Sequence, residues 1–74
     1  MRQKHTITGK SASEISAVID EHIVGRMAFR NRDIMKCRYI DGMTYEKIAE
    51  KFELSVQRTK DICYRLLDNI APYI

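Results

Sequence analysis

Apolar residues recur three and four positions apart along most of this chain, and no segment alternates apolar and polar residues as a β-strand does. The first stripe follows Ser11–Glu14, a Ser-x-x-Glu capping box in which the Ser11 hydroxyl accepts from the Glu14 amide. The stripe consists of Ile15, Val18, Ile19, His22 and Ile23. Gly25 is the expected C-cap of this first helix. The pattern predicts an all-α fold.

A second helix is predicted to begin at Asn31, the expected N-cap, and to run to about Ile40. Asp33 lies in its first turn, where a carboxylate favours the positive end of the helix dipole. The pair Asp41-Gly42 is a strong turn signal and is expected to end the helix.

Two further helices follow closely. Thr44 is the expected N-cap of a short third helix over residues 45–52. Ser55 is the expected N-cap of a fourth helix that continues to about Ile70, shortly before a proline. The predicted architecture is a compact four-helix bundle.

Only Glu53 and Leu54 join the third helix to the fourth. A joint this short forces a sharp crossing, as in a helix-turn-helix, whose second helix enters the DNA major groove. Ala49 provides the small side chain where the two helices touch. The apolar residues expected to hold the crossing together are Ile48, Phe52, Leu54 and Ile62. Thr59 stands where an aliphatic residue is usual, and Glu53 stands where glycine is commonest in the turn.

Composition limits the remaining possibilities. The 74 residues are 45% hydrophobic and 31% charged, which is ordinary for one globular domain. This domain is expected over residues 11–74, with the helix-turn-helix proper at 44–70, after a flexible basic arm at 1–10. No run of more than three apolar residues occurs, so no membrane span or signal peptide is expected, and the predicted location is cytoplasmic. Cys37 and Cys63 are too far apart for a disulfide framework and fit a reducing compartment.

The net charge of +3 is a weak indicator, but the distribution of charge adds to it. One acid, Asp33, lies among five basic residues, namely Arg26, Arg30, Arg32, Lys36 and Arg38. A local excess of this size attracts a polyanion. For a charge run alone, however, a solvated helix face is the simpler interpretation.

The stretch from Arg30 to Leu67, about half of the chain, resembles region 4 of the bacterial sigma-70 family. The resemblance is carried by RYIDGMTYEKIA at residues 38–49 and by Leu54-Ser55-Val56. The whole chain is similar to small, stand-alone region-4-like proteins of Gram-positive bacteria and their phages. It is not expected to be a complete sigma factor, because nothing in it corresponds to the part that melts the promoter.

In that family the helix-turn-helix reads the −35 promoter element, and the domain also docks on the flap of RNA polymerase. The resemblance implies phosphate contacts for Arg38 and Thr44, and base contacts for Val56, Gln57 and Lys60. Sigma factors of the housekeeping type have arginines at the positions of Val56 and Lys60. The resemblance therefore implies DNA binding here without implying −35 specificity.

The periodicity of the fourth helix leads to a similar set of residues. Its expected inward residues are Thr59, Ile62, Cys63, Leu66 and Ile70. A step of about 100° per residue then turns the following side chains outward: Gln57, Lys60, Asp61 and Tyr64.

Each outward residue has a chemical interpretation. Gln57 matches the edge of adenine, and Lys60 can donate to guanine O6 and N7. Asp61 either accepts from cytosine N4 or excludes wrong sequences. Sugar or phosphate contacts are expected from Arg58, Tyr64 and Arg65. The alternative is that this is the exposed polar face of an ordinary bundle. Arg38 and Thr44 also have simpler roles, as a cation at a helix C-terminus and as an N-cap.

Other chemistry is less well supported by the pattern. A zinc site would have to combine His5, His22, Cys37 and Cys63, and no pair among them has the short spacing of zinc ligands. His22 is instead expected to lie in the core, as are Met27, Met35 and Met43. Neither cysteine is in a recognisable activating environment, so no catalytic residue, metal or cofactor is predicted.

The predicted function is sequence-specific binding of double-stranded DNA by a transcriptional regulator of bacterial or phage origin. The alternative is a protein-interaction module that docks on RNA polymerase or on a sigma factor. Dimerisation through the first helix or through residues 71–74 is a further hypothesis, because one small helix-turn-helix has limited affinity.

Overall fold

The structure, a computed structural model, describes residues 10–74. Within this range the chain forms four α-helices and a short 3₁₀ turn, and it contains no strand. The elements are α1 (Ala12–His22), α2 (Ala28–Tyr39), α3 (Tyr45–Phe52), α4 (Val56–Ile70) and the 3₁₀ turn Ala71–Tyr73. The predicted all-α, four-helix fold is confirmed. Of the predicted basic arm, residues 1–9 lie outside the described residues.

Side-chain caps start three of these helices, as predicted. In α1 the Ser11 hydroxyl accepts from the Glu14 amide at 3.2 Å, and the Glu14 carboxylate accepts from the Ser11 amide at 2.9 Å. These hydrogen bonds, above all the one from the Ser11 backbone, lower the pKa of Glu14. Thr44 caps α3 by accepting from the Lys47 amide at 3.2 Å, and Ser55 caps α4 in the same way. Each cap satisfies an amide that the helix itself leaves unpaired.

The start of α2 differs from the prediction. Its N-cap is Met27, which makes no side-chain hydrogen bond, and Asn31 lies inside the helix. Asn31 is only 8% exposed, and its side-chain oxygen accepts from the Arg30 guanidinium at 3.2 and 3.1 Å. Because this oxygen is already bonded, it is not available to a helix amide. The prediction of Asn31 as an N-cap is wrong.

The end of α1 also differs from the prediction. Its C-cap is Ile23, so the prediction of Gly25 as the C-cap is wrong. The Ile23 carbonyl accepts from Arg32 Nε at 2.7 Å, so a side chain of α2 satisfies this helix end. Gly25, with φ 107°, lies in the turn that follows, and its carbonyl accepts from the Ala28 amide at 3.2 Å. An L side chain rarely adopts this backbone conformation, so the turn requires glycine.

Isoleucine dominates the core, and α4 packs against all three other helices. The buried isoleucines are Ile15, Ile19, Ile23, Ile34, Ile48, Ile62 and Ile70. The five residues of α4 predicted to point inward are all buried. Among them, Thr59 donates its hydroxyl to the Ser55 carbonyl at 2.9 Å, so its burial leaves no unpaired hydroxyl.

Two other core predictions need correction. Met35 is fully buried and Met43 is partly buried, but Met27 is 48% exposed and lies at the start of α2, outside the core. His22 lies at the edge of the core and stacks on Tyr73, with ring centroids 3.6 Å apart. Its side chain keeps 25% of its surface exposed.

Within residues 10–74, no three His, Cys, Asp or Glu side chains form a cluster that could hold a metal ion. His5 lies outside this range. None of the helices in the described part of the chain is long and apolar enough to cross a membrane.

Candidate nucleic-acid interface

The turn from α3 to α4 is closed by the backbone of Glu53 and Leu54. Glu53 is left-handed, with φ 57° and ψ 47°, and its amide donates to the Glu50 carbonyl at 3.3 Å. The Leu54 amide donates to the Ala49 carbonyl at 2.8 Å. These two bonds form a Schellman motif, a helix end that usually has glycine at the left-handed position. Because Ser55 already caps α4, the chain changes direction within two residues.

Apolar packing fixes this turn from the inside. Ala49 is 4% exposed, and Ile48 and Ile62 are fully buried. Phe52 and Leu54 are partly buried and pack against the core. The residues predicted to hold α3 across α4 are therefore all buried or partly buried.

The side of α4 opposite the core faces solvent. Its exposed residues include Gln57, Arg58, Asp61, Tyr64, Arg65 and Asp68, while Val56 and Lys60 are half-buried. The predicted outward direction of Gln57, Asp61 and Tyr64 agrees with this arrangement, and Lys60 is partly covered. A polar helix face free of the protein's own packing is what major-groove binding requires.

Gln57 and Asp61 interact one helical turn apart on this face. Gln57 Nε2 donates to Asp61 Oδ1 at 3.1 Å. The amide still has a second N–H and a free carbonyl oxygen, which are the groups that pair with N7 and N6 of adenine. Asp61 can therefore orient Gln57 without preventing it from contacting a base.

An aromatic cluster lies beside this face, and the sequence pattern does not single it out. The guanidinium carbon of Arg38 lies 4.0 Å from the centroid of the Tyr45 ring, and Lys60 Nζ lies 5.8 Å from the same centroid. The Tyr64 ring meets Tyr45 edge-on, at 6.1 Å and 74°. Burial raises the pKa of Tyr45. The only signal in the sequence is an aromatic residue directly after the Thr44 cap.

Arg38 and Thr44 have structural roles here, whether or not they also contact phosphate. Arg38 donates to the Met43 carbonyl at 2.9 Å and so bridges the turn between α2 and α3. Thr44 is exposed, and its hydroxyl caps α3. Arg38 lies against the Tyr45 ring, as Lys60 does, and Thr44 directly precedes Tyr45 in the chain.

The rest of the basic run at 26–38 is dispersed. Arg30 binds the side chain of Asn31, and Arg32 caps the end of α1, as described above. Lys36 pairs with Asp20 of α1 at 2.7 Å. Arg32 and Lys36 therefore join α2 to α1, whereas the bonds from Arg30 to Asn31 lie within α2.

An all-α fold with this turn and this exposed helix is a helix-turn-helix domain. A family model described as "Sigma-70, region 4" matches residues 24–70, well over half of the chain. The chain belongs to the sigma-70 region 4 family, which consists of DNA-binding helix-turn-helix domains whose members bind DNA and RNA polymerase. A search of curated proteins found no match, and neither did a search of solved structures.

Proposed function

We propose that this protein binds double-stranded DNA sequence-specifically, with α4 in the major groove, and that it regulates transcription. The observation that carries the proposal is the solvent-facing polar side of α4, which a two-residue turn presents beyond the body of the domain. Membership of a DNA-binding family supports the same function. In this proposal residues 11–74 are the DNA-binding domain and 44–70 are the helix-turn-helix proper.

Base recognition is assigned to the first two turns of α4. Gln57, oriented by Asp61, reads adenine, and Lys60 reads guanine. Val56 offers a methyl surface suited to thymine. Asp61 acts mainly through Gln57, and its negative charge disfavours sites that bring a phosphate close.

Affinity is assigned to phosphate contacts around the groove. The residues proposed for them are Arg38, Thr44, Arg58, Tyr64 and Arg65, of which all but Arg38 are exposed. Such contacts are independent of sequence and weaken as salt displaces the bound side chains. The proposal includes a bacterial or phage origin and a cytoplasmic location.

Selection from random oligonucleotides with purified protein tests the proposal. We expect one motif to be enriched, and we expect the double variant Arg58→Ala/Lys60→Ala to lose binding to it. Arg26→Ala is a control, because Arg26 is exposed and lies between α1 and α2 in the chain, outside the helix-turn-helix. Failure to enrich any sequence at low salt would contradict the proposal.

A second candidate function is docking on RNA polymerase or on a sigma factor. The observation that favours it is a group of exposed apolar residues between α1 and the first turn of α2. Phe29 is 87% exposed, Val24 is 71% exposed and Met27 is 48% exposed. Exposed apolar groups of this kind often mark protein contacts.

Purified RNA polymerase separates this candidate from DNA binding. If docking uses these residues, Phe29→Ala weakens binding to the polymerase, and Arg58→Ala/Lys60→Ala leaves it unchanged. The reverse result assigns polymerase binding to α4.

A homodimer through α1 or through residues 71–74 would raise the affinity for a two-part DNA site. Sedimentation equilibrium at micromolar concentration tests it, and a monomer would contradict it.

A further inference from the structure

Three helices contribute to the surroundings of the Tyr45 ring. Arg38 comes from α2, Tyr45 is the first residue of α3, and Lys60 and Tyr64 come from α4. Both cations lie over the ring, at 4.0 and 5.8 Å from its centroid. One aromatic side chain therefore lies against two basic groups that are 22 positions apart in the sequence.

Neither of these basic groups is paired with an acid. Among residues 10–74, the ion pairs are His22 with Glu21 and Lys36 with Asp20. Two cations held near each other repel, and the negative face of the ring offsets part of that repulsion. Because no carboxylate in this part of the chain neutralises them, their charge is available to an external anion.

The ring has a fixed position before any ligand arrives. Tyr45 follows the Thr44 cap directly, its side chain is half-buried, and it contacts Tyr64 edge-on. Arg38 is fixed at a second point by its hydrogen bond to the Met43 carbonyl. A cation that is already oriented loses less conformational freedom on binding than a free one.

We propose that Tyr45 is a positioning residue that holds Arg38 and Lys60 in place for DNA. The inference rests on the proposed function and adds a residue to it. In this arrangement the ring sets the distance between the phosphate contact of Arg38 and the base contact of Lys60. It does not touch the DNA itself.

The test compares two substitutions of Tyr45 by fluorescence anisotropy on the selected DNA site. Tyr45→Phe keeps the aromatic face and is expected to bind within about twofold of the unaltered protein. Tyr45→Leu keeps apolar bulk without the face and is expected to bind about five- to tenfold more weakly. Phe29→Leu is the matched control, because Phe29 is an exposed aromatic residue outside the proposed DNA interface, and no RNA polymerase is present in this assay.

Salt dependence and a mutant cycle separate positioning from a direct contact. If Arg38 loses its place over a phosphate, the slope of log Kd against log salt concentration becomes shallower by about one in Tyr45→Leu. In the background Arg38→Ala/Lys60→Ala, adding Tyr45→Leu is expected to have no further effect on binding. A loss that persists at full size in that background means that the ring acts on DNA directly or through Tyr64, and either result overturns the inference.

A measurement on the free protein keeps the inference testable if Tyr45→Leu does not fold. The side-chain protons of Arg38 and Lys60 are expected to show upfield ring-current shifts in NMR spectra of the unaltered protein and of Tyr45→Phe. Random-coil shifts for both side chains would overturn the inference.

If the unaltered protein binds DNA and Tyr45→Leu binds equally well, the inference fails while the proposed function stands. If the unaltered protein binds no DNA, both fail.

Discussion

The two halves of this domain use their basic side chains in different ways. In the α1–α2 half, Arg30, Arg32 and Lys36 each bond to an acceptor within the protein. In the α3–α4 half, Arg58 and Arg65 are exposed and Lys60 lies over an aromatic ring. Three cations of the denser basic run are therefore used within the α1–α2 half, whereas Arg38 of the same run lies against Tyr45 at the candidate interface. Charge density along the sequence does not locate a nucleic-acid surface unless the partner of each cation is known.

The largest effect is expected from removing two cations from each half in turn. Arg58→Ala/Lys60→Ala is expected to weaken DNA binding by about 3 kcal/mol, or about 100-fold, because a base contact and a phosphate contact are lost. The matched variant Arg30→Ala/Lys36→Ala removes the same charge from the other half. We expect its DNA affinity to change by less than about threefold, because only long-range attraction is reduced. Anisotropy titrations at one salt concentration measure both, and equal losses would remove the distinction between the halves.

Alkaline pH is expected to destabilise both halves together, because they share one core. Burial raises the pKa of Cys63 to about 11, and it also raises the pKa of Tyr39. The unfolded chain ionises Cys63 at lower pH than the folded protein does. The contribution of the buried neutral thiol to the free energy of unfolding is therefore complete below about pH 9 and is lost as the pH approaches about 11. We expect the free energy of unfolding to fall by about 2–3 kcal/mol over that range for this thiol.

Urea denaturation followed by circular dichroism at several pH values measures this dependence. Cys63→Ala is the control. Its free energy of unfolding should fall less steeply with pH, and the fall that remains is due to Tyr39. An identical pH profile in Cys63→Ala would show that the thiol does not contribute.

A smaller effect is expected at the joint between α1 and α2. Arg32→Ala removes the donor to the Ile23 carbonyl and is expected to lower the free energy of unfolding by about 1–2 kcal/mol. DNA affinity should stay within about twofold, because Arg32 bonds within the α1–α2 half and is not a proposed DNA contact. Arg26→Ala is the control and should change stability by less than about 0.5 kcal/mol. Thermal melts measure the stability of both variants, and anisotropy measures their DNA affinity. A loss of DNA binding in Arg32→Ala at unchanged stability would show that Arg32 serves DNA binding and not the joint between α1 and α2.

The smallest effect is expected at the turn of the α3–α4 half. Glu53→Gly relieves a left-handed backbone and is expected to raise the free energy of unfolding by about 0.5–1 kcal/mol. Glu53→Ala removes the same charge but keeps a Cβ, so it should give little or no gain. Urea denaturation distinguishes the two.

In the other half, Gly25→Ala should lower stability by about 1 kcal/mol, because there glycine already occupies the strained position.

The α3–α4 half could be predicted closely from the sequence. Thr44 and Ser55 mark the two helix starts by their own hydrogen bonds, and the spacing of apolar residues gives the buried side of α4. These are local signals, and each acts within one turn of helix.

The α1–α2 half was predicted less well because its determinants are not local. The buried face of α2 includes Asn31, so a polar residue interrupts the apolar stripe and resembles a cap. The end of α1 depends on Arg32, nine positions away. In the candidate site, the outward face of α4 follows from its periodicity. The role of Tyr45 does not, because its neighbours come from three helices.

The isoleucine-rich core has a practical consequence for following this domain in solution. Each helix contains at least one fully buried isoleucine, and these are Ile19 in α1, Ile34 in α2, Ile48 in α3, and Ile62 and Ile70 in α4. A β-branched side chain in a helix keeps one dominant χ1 rotamer, so each γ2 methyl group reports a defined environment. Isotopic labelling of this single amino acid would therefore place a probe in every helix, and a DNA titration would show which helices respond.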